Sequence, residues 1–278
     1  MQKLNDLEIG VMFWAGGDPR ETLRELKALG VRSGQIGLPG ELPLDGLANA
    51  WKQALEEEDF TIVTVFAAYK GEDYADIPTV QNTVGWIPRA TRDEREKRTY
   101  EVSDFAAVIG APAIALHVGF VPENERDPDY IAVREMTRRV CDYAAKHGQV
   151  FALETGQEPA EVLLRFYLDV NRENLRLNFD PANLILYGSD NPIEALDKLG
   201  RFIASVHCKD GNWPPKDKPG ALGEEKPLGQ GSVGFDQFIA KLKRIGYKGP
   251  LCIEREGTTH EQRITDIKGA IALLRQLV

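Results

Sequence analysis

The chain alternates short apolar runs with amphipathic, well-capped segments from one end to the other. This alternation is typical of βα units, whose strands assemble into a parallel sheet. Eight βα units close into a (β/α)8 barrel, whereas six would favour a doubly wound open sheet, which is the main alternative fold. The eight predicted strands are residues 8–15, 33–38, 60–69, 113–119, 149–155, 175–181, 203–209 and 250–255.

The length and the helix caps agree with this fold. The chain has 278 residues, and one barrel needs about 250, so we expect a single α/β barrel domain over residues 1–278. Capping pairs predict where three of the helices begin. These pairs are Asp18 with Glu21, Thr91 with Glu94, and Thr259 with Gln262, and Gly30 and Gly110 are expected to end the first two helices.

Charge and cysteine usage exclude several classes of protein. The net charge of −9 disfavours binding to a phosphodiester backbone, so no nucleic-acid partner is expected. The three cysteines have neither metal-type spacing nor a disulfide-rich pattern, which suits a reducing cytoplasm. The sequence shows no signal peptide, and no apolar run approaches the roughly 18 residues of a membrane span. We therefore expect a soluble cytoplasmic enzyme or binding protein without a membrane partner.

Four polar side chains end four consecutive late strands. In each of these strands, bulky residues alternate with small or polar ones, so the polar set is predicted to point into the barrel. The carboxyl ends of barrel strands form the face where active sites are built. The four residues are Glu154, Asp180, His207 and Glu254.

This set of side chains predicts a metal site. Each residue alone has a plain structural explanation, such as an ion pair or a buried hydrogen-bonded histidine. Together, three carboxylates at the mouth of an apolar barrel would repel one another, and a divalent cation relieves that repulsion. Three oxygens and one imidazole suit Mn²⁺, Mg²⁺ or Co²⁺, with Zn²⁺ as a further alternative.

The late segments resemble a known family. The resemblance rests on ALET, NFDPANL, VHCKDG and LGQGSVGFDQFIAKLKRIGYKGPLCIERE, which look like the sugar phosphate isomerase/epimerase superfamily, the xylose isomerase-like barrels. It covers most of the chain and is strongest over residues 149–256. The resemblance implies that Glu154, Asp180, His207 and Glu254 hold one divalent metal, and among the ions that suit this donor set Mn²⁺ is the first candidate. It also implies that the two glutamates act as the acid/base pair.

Four further residues are candidate substrate contacts. Ketose epimerases and endonuclease IV tend to carry a histidine where this chain has Asn183, which can bond a sugar hydroxyl but argues against a three-metal endonuclease site. His117 and Lys209 are predicted to face the substrate, and the alternatives are a buried hydrogen-bonded histidine and a salt bridge. Gln157, in the loop after strand five, is a weaker candidate.

Two long polar stretches and three tryptophans belong to the same face. Residues 70–90 and 211–233 follow strands three and seven, so we expect at least one of them to cover a pocket. Trp14, Trp86 and Trp213 lie at strand ends or in these loops, where sugar sites favour aromatic rings, although core packing explains Trp14 equally well.

A glycine motif in the second stretch is discounted. Gly229, Gly231 and Gly234 match G-x-G-x-x-G, but the strand that a dinucleotide fingerprint requires is missing before them. We interpret these glycines as a loop that closes onto the strand-seven face.

These observations lead to one function and two alternatives. The leading hypothesis is a metal-dependent isomerase or epimerase that moves a proton through an enediolate of a sugar or polyol derivative, with Glu154 and Glu254 transferring it. The first alternative is a lyase or dehydratase that eliminates from the same intermediate. The second is a non-catalytic sugar-binding barrel. Family members are often dimers or tetramers, so a homo-oligomer stays open.

Overall fold

The computed structural model describes residues 5–278 and contains a closed barrel of eight parallel strands. Two further short strands, β8 and β9, form a separate antiparallel hairpin. The strands are β1 (Ile9–Trp14), β2 (Ser33–Leu38), β3 (Thr61–Ala67), β4 (Ala113–Leu116), β5 (Val150–Glu154), β6 (Leu175–Phe179), β7 (Ile203–Cys208), β8 (Asp210–Asn212), β9 (Glu224–Lys226) and β10 (Leu251–Ile253). The barrel order is β1-β10-β7-β6-β5-β4-β3-β2, which confirms the predicted barrel and excludes the open sheet.

Helices follow every barrel strand. The α-helices are α1 (Pro19–Ala28), α2 (Leu47–Glu58), α3 (Ile77–Thr83), α4 (Arg92–Ile109), α5 (Pro128–Ala145), α6 (Ala160–Val170), α7 (Pro181–Leu186), α8 (Pro192–Leu199), α9 (Phe235–Arg244) and α10 (His260–Leu277). The short helices α3 and α7 lie in the connections after β3 and β6. Within residues 5–278, no helix combines the length and the apolar character that crossing a membrane requires.

Two of the three predicted N-terminal caps form. The carboxylate of Asp18 accepts hydrogen bonds from two backbone N–H groups at the start of α1, and the hydroxyl of Thr259 accepts one from Gln262. The prediction for Thr91 is wrong in its chemistry. A 3₁₀ turn over Arg89–Thr91 precedes α4, and the Thr91 hydroxyl donates to the carbonyl of Pro88 instead of capping the helix.

The barrel interior and the outer core are separate. Outward-facing strand residues pack against the helices in one large apolar cluster, whereas Met12, Phe66, Ala115 and Ala152 form a small cluster inside the barrel. A polar layer accompanies the inner cluster: the side chains of Gln35 and Ser205 both donate to Asn178 Oδ1. The interior thus carries buried polar groups beneath the strand ends.

Trp86 belongs to the outer core. The sequence grouped it with aromatic residues that a sugar site could use, but its side chain is fully buried. Its indole nitrogen donates to the Tyr69 hydroxyl at 2.8 Å, and its ring packs 5.7 Å from that of Phe151. A buried indole needs one polar partner, and Trp86 finds it inside the core. Trp86 therefore anchors the connection after β3 to the core.

The stretch 211–233 folds around one carboxylate. Asp210 accepts hydrogen bonds from four backbone N–H groups, those of Gly211, Gly229, Gly231 and Val233, at 2.9 to 3.1 Å. A Cβ at Gly231 would collide with the Asp210 carboxylate, so a glycine is required there. The G-x-G-x-x-G glycines therefore close a loop beside β7, as the sequence indicated. The hairpin of β8 and β9 was not predicted, because its two strands are short and polar.

We expect Asp210→Asn to destabilise the protein by about 2–4 kcal/mol, since each buried N–H that loses its acceptor costs about 1–3 kcal/mol. An amide keeps one acceptor oxygen and replaces the other with a donor. Urea unfolding measures the change. The matched control is Asp217→Asn, an exposed aspartate of the same loop, which should unfold like the parent protein. Equal midpoints for the two variants would contradict this role of Asp210.

Candidate metal centre

Four strand ends bring the predicted ligands together. Glu154 is the last residue of β5, Asp180 directly follows β6, His207 lies near the end of β7, and Glu254 directly follows β10. One ligand atom from each residue lies within 4.8 Å of the others. Asp180 is also the N-cap of α7, since its Oδ1 accepts from the backbone N–H of Asn183 at 2.9 Å. The same turn that begins α7 therefore fixes this carboxylate.

One imidazole nitrogen faces all three carboxylates. His207 Nδ1 lies 2.9 Å from Glu154 Oε1, 2.8 Å from Glu254 Oε2 and 3.6 Å from Asp180 Oδ2. The exposed side-chain fractions are 1% for His207, 2% for Glu154, 0% for Asp180 and 9% for Glu254. Water therefore screens these charges little, and they interact strongly.

The electrostatics of this cluster demand positive charge. Burial lowers the pKa of His207, but Glu254 and Glu154 outweigh burial and raise it well above its ordinary value. Burial raises the pKa of Asp180 to about 6. Burial also opposes ionisation of Glu254, yet Lys209 and His207 hold the pKa of its carboxyl well below the usual range. Glu254 therefore stays ionised because two cationic groups face it.

Two buried carboxylate oxygens provide the test of whether a metal fits. Asp180 Oδ2 and Glu254 Oε2 make no hydrogen bond of good geometry with any part of the described chain, and both approach His207 Nδ1. A buried acceptor without a donor is unfavourable, whereas a cation satisfies it. Three carboxylate oxygens and one imidazole nitrogen are a donor set for a divalent ion. The cluster can therefore hold a metal, with these four residues as its ligands.

His117 contacts one of the proposed ligands. Its Nε2 lies 3.1 Å from Glu154 Oε2, and its Nδ1 lies 3.2 Å from the side-chain nitrogen of Gln157. Gln157 is only 3% exposed and is not among the residues that line the cavity. Its contact with His117 places it beside the imidazole.

Asn183 and Lys209 lie on the cavity wall. The side-chain amide of Asn183 donates to Glu154 Oε1 at 3.2 Å, and Lys209 Nζ lies 3.2 Å from Glu254 Oε1. The salt bridge that the sequence offered as an alternative for Lys209 is therefore present, and it does not remove Lys209 from the cavity.

The cluster of three carboxylates and one imidazole opens into a cavity of about 410 Å³. Both long loops contribute to its walls, as expected for at least one of them, and a backbone hydrogen bond of 2.9 Å from Ile77 to Gly220 joins them. Trp14 lines the cavity with a 42% exposed ring whose Nε1 donates to Glu256 at 2.8 Å. Trp213 is 44% exposed and does not line this cavity.

Sequence reasoning missed the three glutamates and two tyrosines that complete the polar part of the cavity wall. They are Glu72, Tyr74, Tyr187, Glu225 and Glu256. Glu256 had a usable signal, because it follows the inward-facing Glu254 by two residues at the end of a strand. Glu72 and Tyr74 lie in an irregular connection, Tyr187 directly follows the short helix α7, and Glu225 lies in the three-residue strand β9, so no period predicts the direction of these side chains.

Comparisons with known proteins agree with this fold. The family model described as xylose isomerase-like TIM barrel matches residues 23–277. A crystal structure of a xylose isomerase domain protein from Planctomyces limnophilus is 42% identical, with a TM-score of 0.91 over 98% of this chain and 97% of that one. The 3-keto-D-glucoside 4-epimerase YcjR of E. coli shares the fold at 17% identity, with a TM-score of 0.70 over 97% of this chain and 99% of that one.

Curated relatives align over shorter stretches. The protein MJ1311 of Methanocaldococcus jannaschii is 29% identical over 53% of this chain and 52% of its own length. L-ribulose-5-phosphate 3-epimerase UlaE of Salmonella paratyphi C is 33% identical over 36% of this chain and 33% of its own length. The chain thus spans between a third and about half of the length of these relatives.

We expect Asp180→Asn to weaken Mn²⁺ binding at least about 100-fold, because the variant removes one charged ligand of four. Asparagine is also a good N-cap, so α7 is retained. Titration calorimetry measures the affinity. The matched control is Asp190→Asn, whose carboxylate accepts a backbone N–H at the start of α6. Equal Mn²⁺ affinities in the two variants would exclude Asp180 as a ligand.

Proposed function

Because the chain belongs to the xylose isomerase-like TIM barrel family, we propose that it is a divalent-metal-dependent isomerase or epimerase of an uncharged keto sugar or polyol. One observation carries the proposal. Glu154 and Glu254 approach the same His207 nitrogen, at 2.9 and 2.8 Å, inside a cavity of about 410 Å³. Two carboxylates beside one cation site are the groups that a proton transfer between neighbouring carbons, or between two faces of one carbon, requires.

The proposed metal is Mn²⁺, with Mg²⁺, Co²⁺ or Zn²⁺ as alternatives, held by Glu154, Asp180, His207 and Glu254. When bound, such an ion polarises a carbonyl group and makes the adjacent C–H bond more acidic.

The two glutamates differ in their surroundings. A general base must be ionised and must reach the substrate. Lys209 and His207 keep Glu254 ionised against the effect of burial, and Glu254 lines the cavity. Glu154 is held from three directions, by His117, Asn183 and His207. We assign proton abstraction to Glu254 and proton return to Glu154, with His117 and Gln157 holding Glu154 in place.

The charge of the cavity supports an uncharged substrate. Glu72, Glu225 and Glu256 line it in addition to the carboxylates of the metal cluster. The only lysine or arginine on its described wall is Lys209, which already pairs with Glu254. A phosphate or carboxylate group on the substrate would be repelled here, and we propose a neutral sugar.

Solvent deuterium exchange into a panel of 2- and 3-ketoses tests the reaction. With Mn²⁺ present, we expect deuterium to enter at the carbon next to the carbonyl. Apart from that deuterium, the product should have the same molecular formula as the substrate. In Glu254→Gln, exchange should fall about 10²- to 10⁴-fold at confirmed metal occupancy, because the base is lost. The control is Glu261→Gln, an exposed glutamate of α10. Full exchange in metal-loaded Glu254→Gln would refute the assignment.

The products separate the remaining alternatives. Loss of water or of an aglycone from the ketose would identify the lyase or dehydratase instead. Absence of exchange across the whole panel, with sugar binding retained, would identify a sugar-binding barrel.

A matched pair of substrates tests the charge argument. We expect kcat/KM for a ketose to exceed that for its terminal phosphate ester by at least about 10-fold. The repulsion between the phosphate and even one buried carboxylate of the wall should exceed about 1.4 kcal/mol, which corresponds to a 10-fold ratio. Glu256→Gln removes one charge of the wall and should lower the ratio of kcat/KM for the ketose to that for its phosphate ester. Glu261→Gln should leave this ratio unchanged. A preference for the phosphate ester would contradict the proposed substrate class.

A further inference from the structure

A second cavity of about 210 Å³ lies beside the candidate metal centre, between helices α1 and α10. Its wall includes Leu26 of α1 and Leu29, which directly follows that helix, and α10 contributes Ile264 and Ile267. Residues of β1 form its floor. We call this space the side chamber. Nothing in the proton-transfer chemistry uses it.

The side chamber and the main cavity share a wall. Met12, Trp14, Glu254 and Glu256 line both of them. Two of these shared side chains, Trp14 and Glu256, are joined by one hydrogen bond of 2.8 Å. The Trp14 ring is 42% exposed, so it offers a flat apolar surface at the boundary. A ligand placed over the metal cluster therefore has an adjoining space within reach of the same residues.

The chemistry of the side chamber selects its occupant. More than half of its wall is apolar, and its three carboxylates, Glu25, Glu254 and Glu256, outnumber its two guanidinium groups. Arg255 also borders it but is already bound by Glu225 and Asp266, at 2.7 and 2.8 Å. A space without surplus positive charge is a poor phosphate site. A cavity of about 150 Å³ lined by aliphatic side chains is large enough for benzene, so a single aromatic ring fits here.

We propose that the side chamber binds the apolar aglycone of a glycoside, with the sugar ring in the main cavity. This inference rests on the proposed function, because the main cavity must hold the sugar. It makes the substrate a keto sugar that carries an aromatic-sized substituent on its anomeric oxygen. Trp14 and Glu256 then contact the junction between the ring and the substituent.

Binding of simple glycosides to the metal-loaded protein tests the side chamber without turnover. The probes are phenyl and methyl D-glucopyranosides, both anomers of each, with titration calorimetry as the readout. Burial of a phenyl ring predicts about 10- to 100-fold tighter binding of one phenyl anomer than of the matching methyl glucoside. In Ile264→Trp, which fills the side chamber from α10, the advantage should fall below about 3-fold.

Controls separate filling of the side chamber from damage to the fold. Ile131→Trp adds the same ring at an exposed isoleucine of α5 and should keep the full advantage. Leu29→Trp fills the side chamber from α1, and it replaces Ile264→Trp if thermal melting shows that the latter is unfolded.

The outcomes that overturn the proposal are distinct. Equal binding of phenyl and methyl glucosides would remove the aglycone site, as would an advantage that persists in the filled variants. Tighter binding of glucose 6-phosphate than of the phenyl glucoside would make the side chamber an anion site. A phenyl advantage that disappears in the filled variants, without deuterium exchange in any ketose, would keep the side chamber as an aglycone site and refute the isomerase.

Discussion

Three buried carboxylates converge on a single imidazole nitrogen at the mouth of the barrel, and most of the surrounding structure serves that convergence. Like charges at this distance and depth are unfavourable without a cation among them. The repulsion between these carboxylates follows from the parallel barrel, which brings the carboxyl ends of four strands close together. The same arrangement leaves two carboxylate oxygens, Asp180 Oδ2 and Glu254 Oε2, without a hydrogen bond of good geometry and thus available to bind a metal.

The neighbours of the cluster distribute roles among chemically identical groups. Glu154 is held by His117 and Asn183, whereas Glu254 is paired with Lys209 and keeps one oxygen free of hydrogen bonds of good geometry. Asp180 is tied to the start of α7. Two glutamates and one aspartate thus have three environments. The asymmetry supports a division into base, acid and structural ligand, since environment rather than residue type sets the reactivity of a carboxyl group.

The barrel and the four strand-end residues could be predicted because both follow from periodicity. Alternation along a strand determines which side chains face inward, and Glu154 and Glu254 needed no further information. Loop residues such as Glu72 and Tyr74 could not be predicted, because no period governs them. Trp86 and Thr91 show the limits of local patterns. Trp86 comes from a loop, but its indole nitrogen bonds to Tyr69 in the core. The hydroxyl of Thr91 donates to the carbonyl of Pro88 and does not cap α4. The loop that folds around Asp210 could not be predicted, because the four partners of this carboxylate are backbone N–H groups, which every sequence provides.

The most direct measurement is a crystal structure of the protein with Mn²⁺, with anomalous scattering recorded at the manganese edge. The account predicts one strong anomalous peak per chain, within bonding distance of Glu154, Asp180, Glu254 and Nδ1 of His207. An anomalous peak bound elsewhere, or a manganese-saturated crystal in which these four side chains bond only to one another, would contradict it.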